Sequence, residues 1–457
     1  MDKMKGTLDG QEIRLARMCL DKAMRLGAQK ARITLGKSLM EMFGILDGEL
    51  DKVSRCLDRS MSISLFVDGR YGSFSTNKLV EDGMDDFIAK SVATVRMLAE
   101  DPCRDLPEPE RKAAGATTGR ELELCDEGYD SLSPEEKLKT AMEASIFKAH
   151  KADGIISEEG EYSDSICDTL LLDSEGLECR HTETSFEYGV ETTVLDSGGN
   201  RFSGYWWDSS PFRSNLDAGI CGPTALKRAL SQIGPVKIPG GKYTMVVDSE
   251  VSSKLLTPLT NALGGYALQQ KNSFLLDSLG KKLFPEWMSL VDRPQEHGRT
   301  GSRLFDSEGV ATKETPVIEK GVVNEYFINT YISRKMGIAP TVEDVTRPVL
   351  EPCIAPGLGI LDDDPLDRDR IMGLIKDGIL VTGFNGGNSN PATGDFSFGI
   401  EGFLFKDGAV VHPVREMLIT GNLLTLWGSL LAAGDDPRSC KSKQIPTLAF
   451  ANVDFSA

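Results

Sequence analysis

Apolar residues recur at helical spacing near the start of the chain. Ile13, Ala16, Leu20, Ala23 and Met24 follow Asp9, a residue suited to cap a helix, and Gly27 supplies the stop, so this stretch is predicted to be an amphipathic helix. From Ala28 to Thr76 the period shortens to that of strands, punctuated by Gly36, Asp47-Gly48 and Asp68-Gly69. This predicts an antiparallel meander that ends in SISLFVDGRYGSFST. Val80 to Glu100 returns to helical spacing. Residues 101–120 hold three prolines and little apolar periodicity, the composition of an exposed connection. Ser133-Pro134-Glu135-Glu136 then joins a capping serine, a proline at the first helical position and a glutamate three residues past the cap. A helix through about His150 follows from it.

Runs around Cys167–Leu172, Glu178–Tyr188 and Glu191–Leu195 alternate as strands do and predict a second antiparallel sheet segment. Pro223 to Ile233 reads as a helix ended by Gly234-Pro235, which places the main boundary near residue 235. Beyond it, helical spacing at Val251–Leu263, Ser273–Leu283, Pro365–Lys376 and Asn422–Leu431 mixes with hairpin signals at Lys320-Gly321 and Asp407-Gly408. Helices and antiparallel strands in this order predict an α+β protein. Its N-terminal part is sandwich-like with antiparallel strands, and its C-terminal domain is β-rich with helices. Residues 1–100 and 118–234 are expected to pack as one body, with 236–457 as the second domain.

The 457 residues carry 51 Lys plus Arg against 69 Asp plus Glu, a net charge of −18. No basic patch with interleaved aromatics offsets that field, so nucleic acid is not an expected partner. Nine scattered cysteines without a CxxC pair fit reduced thiols. The opening MDKMKGTLDGQEIRLARMCLDKAM lacks the apolar core of a signal peptide, and no later apolar run reaches membrane-spanning length. The expectation is a cytoplasmic protein with no membrane partner.

Candidate chemistry is sparse. HExxH, GxSxG and phosphate-loop patterns are absent, and the four histidines (His150, His181, His297, His412) are too far apart in sequence to form a local pair. The most unusual segment is GFNGGNSNPATGDFSFGIEGFLFKDG, residues 383–408. Its Gly386, Gly387, Asn388 and Asn390 either let the backbone of a ligand approach closely or build a strained turn before a hairpin.

Four segments read together resemble the TldD/PmbA family, once called modulators of DNA gyrase. They are FVDGRYGSFSTN near residue 70, KNSFLLDSLGKKLFPEW at 271–287, GSRLFDSEGVATKETPVIEKGVVNEYFINTYISRKMG at 301–337, and GGNSNPATGDFSFGIEGFLFKDGAVVHPVREMLITGNLL at 386–424. The resemblance implies a cytoplasmic metalloprotease in which a TldD-type subunit pairs with a PmbA (TldE)-type subunit and peptides are cleaved in an enclosed cavity. Catalytic members carry an HExxxH helix, two histidines for zinc and a glutamate as general base. Here LLTPLTNALGG (255–265) takes that place, with Thr257 and Ala262 at the histidine positions and Pro258 at the glutamate. The resemblance is therefore to the PmbA branch. It implies a non-catalytic chain without its own cofactor, zinc in a TldD-type partner, a heterodimer or higher assembly or a homodimer when isolated, and a peptide substrate. Asn385, Gly386, Gly387, Asn388, Asn390 and Asp395 are the expected substrate-cavity residues. Two rivals stand beside this reading: a self-sufficient homodimeric metallopeptidase with a non-local site drawing on His297, His412 and Cys440, and a gyrase-associated binding protein.

Overall fold

The first helix, Gly10–Arg25, starts in a reciprocal cap. Asp9 accepts from Gln11 N at 2.7 Å and Glu12 N at 2.8 Å, while Glu12 Oε2 accepts from Asp9 N at 2.8 Å. The computed structural model of the chain describes residues 4–150, 154–359 and 362–457. They fall into two compact units. One runs to Leu230 and adds Gln295–Thr312 and Asn329–Ile338; the other holds Ser231–Pro294, Lys313–Ile328 and Ala339–Ala457.

The first unit is built on one antiparallel sheet of β1 (Lys30–Leu46), β2 (Glu49–Val67), β3 (Arg70–Thr76), β4 (Ile155–Asp173), β5 (Glu178–Leu195) and β6 (Arg201–Ser210), in the order β3-β2-β1-β4-β5-β6. Asp47-Gly48 and Asp68-Gly69 make its two tight hairpins, all four residues at positive φ as the primed turns require. The stretch read as a second antiparallel sheet segment continues this same sheet, because β4 pairs with β1 from Arg32↔Asp173 to Leu46↔Glu159, and β5 runs without a break through both predicted strands. Period-2 alternation buries Ala31, Ile33, Leu35, Leu39, Phe43 and Ile45 of β1 on one face. Helices Gly10–Arg25 and Glu81–Val95 cover that face around Ile33, Leu65 and Ile88; helices Pro134–Ala144 and Cys221–Ser231 cover it around Phe43, Ile166 and Phe186.

The helix begun at Ser133 stops at Ala144 rather than near His150, and a short helix Phe147–His150 follows. Glu158, 1% exposed, explains the break: its carboxylate accepts from the Ser145 hydroxyl, from Ile146 N at 3.1 Å and from Phe147 N at 3.2 Å. Residues 101–120 are not an exposed connection either. Leu106, Ala113 and Ala116 are buried, and Lys112 Nζ is held by Asp173 at 2.6 Å and Glu175 at 2.8 Å. Ala113 N donates to Gly309 O at 2.9 Å, so Phe305 joins Ala113, Ala116, Leu171 and Cys179 in a small core on the opposite sheet face.

In the second unit β7 (Gly241–Val247) precedes a small sheet of β8 (Leu290–Asp292), β9 (Thr315–Glu319), β10 (Val322–Val323) and β11 (Pro348–Leu350), ordered β10-β9-β8-β11. The larger sheet adds β12 (Cys353–Ile354), β13 (Gly378–Ser389), β14 (Asp395–Lys406), β15 (Ala409–Asn422), β16 (Leu430–Ala433) and β17 (Leu448–Ser456). Its order is β12-β16-β17-β15-β14-β13-β7, and β17 also pairs with β7, so β7, β13, β14, β15 and β17 close a five-stranded barrel. Helix Ser253–Ala262 buries Leu255, Leu256 and Leu259 in the core that holds Phe398, Trp427 and Phe450. The helix predicted over Ser273–Leu283 is a series of turns. Asp277 and Gly280 take positive φ, and the Tyr326 hydroxyl accepts from Ser278 N at 2.7 Å and Leu279 N at 3.2 Å, capturing donors a helix would use. Among the described residues no helix is long and apolar enough to cross a membrane.

Candidate functional site

The hairpin of β13 and β14 carries the Gly/Asn segment. Pairing starts at Gly378↔Phe405, shifts once between Val381 and Gly383 and again between Phe384 and Gly387, and resumes at Gly387↔Phe398, so Asn385 and Gly386 bulge out of the ladder. On the other side of β14 a second bulge lies between Val414 and Met417, where Glu416 takes φ +56. The two bulges flank Gly399–Gly402 and open a cavity of about 290 Å³, lined by Asn385, Gly386 and Gly387 from β13, Ser397, Gly399 and Ile400 from β14, and Glu416 to Leu418 from β15. Gly387 has φ +85, and a Cβ there would collide with Ser397 O; a Cβ on Gly399 would collide with Asn385 Oδ1. Gly387 needs glycine for the strands to approach this closely, whereas a side chain at Gly399 would displace the Asn385 amide.

The three other residues expected at a substrate cavity sit beyond it. Asn388 pairs with Ser397 in the ladder. Asn390 Oδ1 accepts from Ala392 N at 2.9 Å, and Gly394 N donates to Asn390 O at 2.8 Å, which closes the turn. Asp395 accepts from Thr393 Oγ1 at 2.7 Å and Asn422 Nδ2 at 3.0 Å, and these two hydrogen bonds, the Asn422 one foremost, hold its carboxyl below the usual range. Ser397, Gly399 and Glu416 were missed in the sequence. Ser397 and Gly399 had a signal, since they alternate with Phe396 and Phe398 on β14; the bulge at Glu416 had none.

Helix Ser253–Ala262 holds Thr257, Pro258 and Ala262, the positions that the resemblance sets against the family's zinc motif. Ala262 is buried, Pro258 sits inside the helix with no N–H to give the Lys254 carbonyl, and Thr257 Oγ1 donates back to Ser253 O at 2.9 Å. Lys443 Nζ donates to Thr257 Oγ1 at 2.8 Å. Burial lowers the pKa of Lys443 and the charge of Asp344 counters it. Around the start of the same helix Arg438 meets Glu250 at 3.1 Å, Lys441 donates to Glu250 O, and Arg368 meets Asp248 at 3.0 Å. This set does not suit zinc: Thr257 offers a hydroxyl, Pro258 a ring and Ala262 a methyl, and an ammonium is the nearest polar neighbour of the hydroxyl. Among the described residues no group of three or more His, Cys, Asp or Glu is placed to hold a metal ion.

The residues invoked for a non-local site have local roles. In the first unit His297 Nδ1 lies 3.6 Å from Glu123, with its side chain 62% exposed. In the second, His412 Nδ1 lies 3.1 Å from Pro413 O, and Cys440 is a buried thiol preceding Lys441.

Comparison with known proteins bears on what this geometry serves. Models of the PmbA/TldA metallopeptidase match twice, the central domain over residues 127–233 and the C-terminal domain over 240–457. The metalloprotease PmbA homolog of Haemophilus influenzae is 27% identical over 393 residues, spanning 85% of this chain and 83% of that protein. A crystal structure from Bacteroides thetaiotaomicron, described as a candidate modulator of DNA gyrase, is 40% identical with a TM-score of 0.92 and covers 98% of this chain and 99% of that one. TldE from Thermococcus kodakarensis, 18% identical, shares the fold with a TM-score of 0.82 over 98% of this chain and 100% of its own.

Proposed function

Since the chain belongs to the PmbA/TldD metallopeptidase family, we propose that it is the non-catalytic, PmbA/TldE-type subunit of a cytoplasmic zinc protease acting on peptides or unfolded segments. A TldD-type partner supplies metal, base and water. One observation supports the reading: Lys443 donates to Thr257, the residue that the resemblance sets at the first zinc histidine, and neither Pro258 nor Ala262 can supply a base or a second ligand. The contribution of this chain to the substrate is the bulged wall at Asn385–Gly387. There, glycine backbone offers N–H and C=O groups to an extended peptide, and Glu416 adds a carboxylate paired with Lys237 at 3.4 Å.

Elemental mass spectrometry of the purified chain, made without a metal-affinity tag, tests this together with cleavage of an unfolded polypeptide. The expected result is zinc far below one per chain and no cleavage until a TldD-type subunit is added. Zinc near one per chain, or cleavage by the chain alone, would overturn it.

A further inference from the structure

The loop that carries Lys443 is tied down on its far side. Gln444 N donates to Pro348 O at 2.8 Å, Leu350 N donates to Gln444 O at 3.1 Å, and the Gln444 side-chain amide donates to Arg438 O at 3.2 Å and to Lys441 O. The Ser252 hydroxyl donates to Ile445 O at 2.9 Å, so both residues after Lys443 are fixed. From this stiff backbone the Lys443 ammonium reaches Thr257 Oγ1 at 2.8 Å. An ammonium has three N–H groups and no acceptor. One meets Thr257, whose own proton is engaged on Ser253 O at 2.9 Å, and that hydroxyl is neutral. Among the described residues no carboxylate stands within ion-pair reach of Lys443, and the charge of Asp344 acts on it only from farther off. The cations before it in the loop are matched, Arg438 by Glu250 at 3.1 Å and Lys441 by the Glu250 carbonyl.

Lys443 is therefore a charge without a counter-charge beside it. Burial strips water from the ammonium and pushes its pKa down. Lys443, Thr257 and Pro258 are each half-buried, so they line a shallow surface and not a sealed interior. Two N–H groups of a partly desolvated ammonium make charge-assisted hydrogen bonds with an anion that settles there. A single ammonium within the field of Asp344 suits a monoanion; a phosphate dianion would leave one negative charge unmatched near that carboxylate. We propose that Lys443, aimed by Thr257, is the seat for a carboxylate of a bound peptide, either its C-terminal group or an Asp or Glu side chain. Thr257 is a positioning residue: with its proton on Ser253 O, only its lone pairs face the ammonium. That the ligand is a peptide rests on the subunit reading; the carboxylate seat itself does not.

The test is isothermal titration calorimetry of the full chain alone at pH 7 with three N-acetylated probes. They are Gly-Ser-Ala-Ala with a free carboxyl terminus, the same peptide as its amide, and Gly-Ser-Glu-Ala as its amide. The free acid, the Glu peptide or both are expected to bind at least about tenfold more tightly than the neutral amide, and the pattern tells a terminal carboxylate from a side chain. Lys443→Met abolishes the advantage, Lys443→Arg keeps most of it, and Thr257→Val reduces it a few-fold. A merely structural lysine would instead lower the melting temperature in Lys443→Met and leave the advantage intact. Thr257→Val exchanges a hydroxyl for a methyl of similar size, so it decides the matter if Lys443→Met fails to fold. Zinc content and cleavage are separate readouts, so the seat and the subunit reading fail independently. Equal binding of the three probes, no binding by any of them, or an advantage unchanged in folded Lys443→Met or in Thr257→Val would overturn the proposal.

Discussion

Asp292 is a buried carboxylate whose ionisation the fold resists. It ends β8, is 2% exposed, and accepts from Arg347 N at 2.6 Å and Thr346 N at 3.0 Å, stapling the small sheet at its Pro348↔Asp292 pair. Burial pushes its pKa from 3.8 up to about 6; the two amides pull it back, and the charge of Asp344 adds to the rise. Below about pH 4 the carboxyl is protonated in both folded and unfolded chains and costs nothing. Between about pH 4 and 6 the unfolded chain has released the proton and the folded chain still holds it, so stability falls as pH rises; above that the cost is constant. The difference of 2.2 between 6 and 3.8, at roughly 1.36 kcal/mol per unit, makes the full cost about 3 kcal/mol. Asp292→Asn keeps a carbonyl acceptor and cannot ionise. Urea unfolding at several values between pH 4 and 7.5, read from Trp287 and Trp427 in a background where Trp206 and Trp207 of the first unit are Phe, should show the variant gaining on the native chain. The gain is about 2–3 kcal/mol from pH 4 to 7, most of it before pH 6.5. A difference that stays flat across that range would refute the argument that burial governs this group.

Three further outcomes are expected. Lys137, 5% exposed and set between Glu41 and the buried Asp164, is the counter-ion of both, so Lys137→Met should cost about 3–5 kcal/mol in urea unfolding at pH 7. Gly387→Ala combines a positive φ with a collision at Ser397 O and should lower stability by about 2 kcal/mol or more while reshaping the bulged cavity, measured by thermal unfolding. Pro258→Ala returns an N–H to the interior of helix Ser253–Ala262. The gain of about 3 kcal/mol in helix propensity, less about 1 for a freer unfolded chain, should appear as a raised melting temperature.

What the sequence made legible was local. Asp9 and Ser133 announced their caps, Asp47-Gly48 and Asp407-Gly408 their turns, and β1 its buried face, because each signal sits within a few residues of the structure it specifies. The failures trace to distant partners. Glu158, about a dozen residues away, ends the Ser133 helix; Tyr326 unwinds Ser273–Leu283 from 48 residues off; and Gly309 draws residues 101–120 into a core. The same limit governs the candidate site. Asn385–Gly387 stood out by composition, whereas the lysine at Thr257 comes from 186 residues downstream, and the bulge at Glu416 leaves no compositional trace.

The threading of the two units has a consequence for synthesis. The chain changes unit five times, after Leu230, Pro294, Thr312, Ile328 and Ile338, so the first unit lacks two of its own pieces until residue 338 has left the ribosome. At roughly 5–20 residues per second, the 108 residues between Leu230 and Ile338 take about 5 to 20 s to translate. For about the first 75 of those residues, until Phe305 is made, the large sheet waits with the patch at Leu171 and Cys179 lacking that cover, a window in which a nascent-chain chaperone has something apolar to hold.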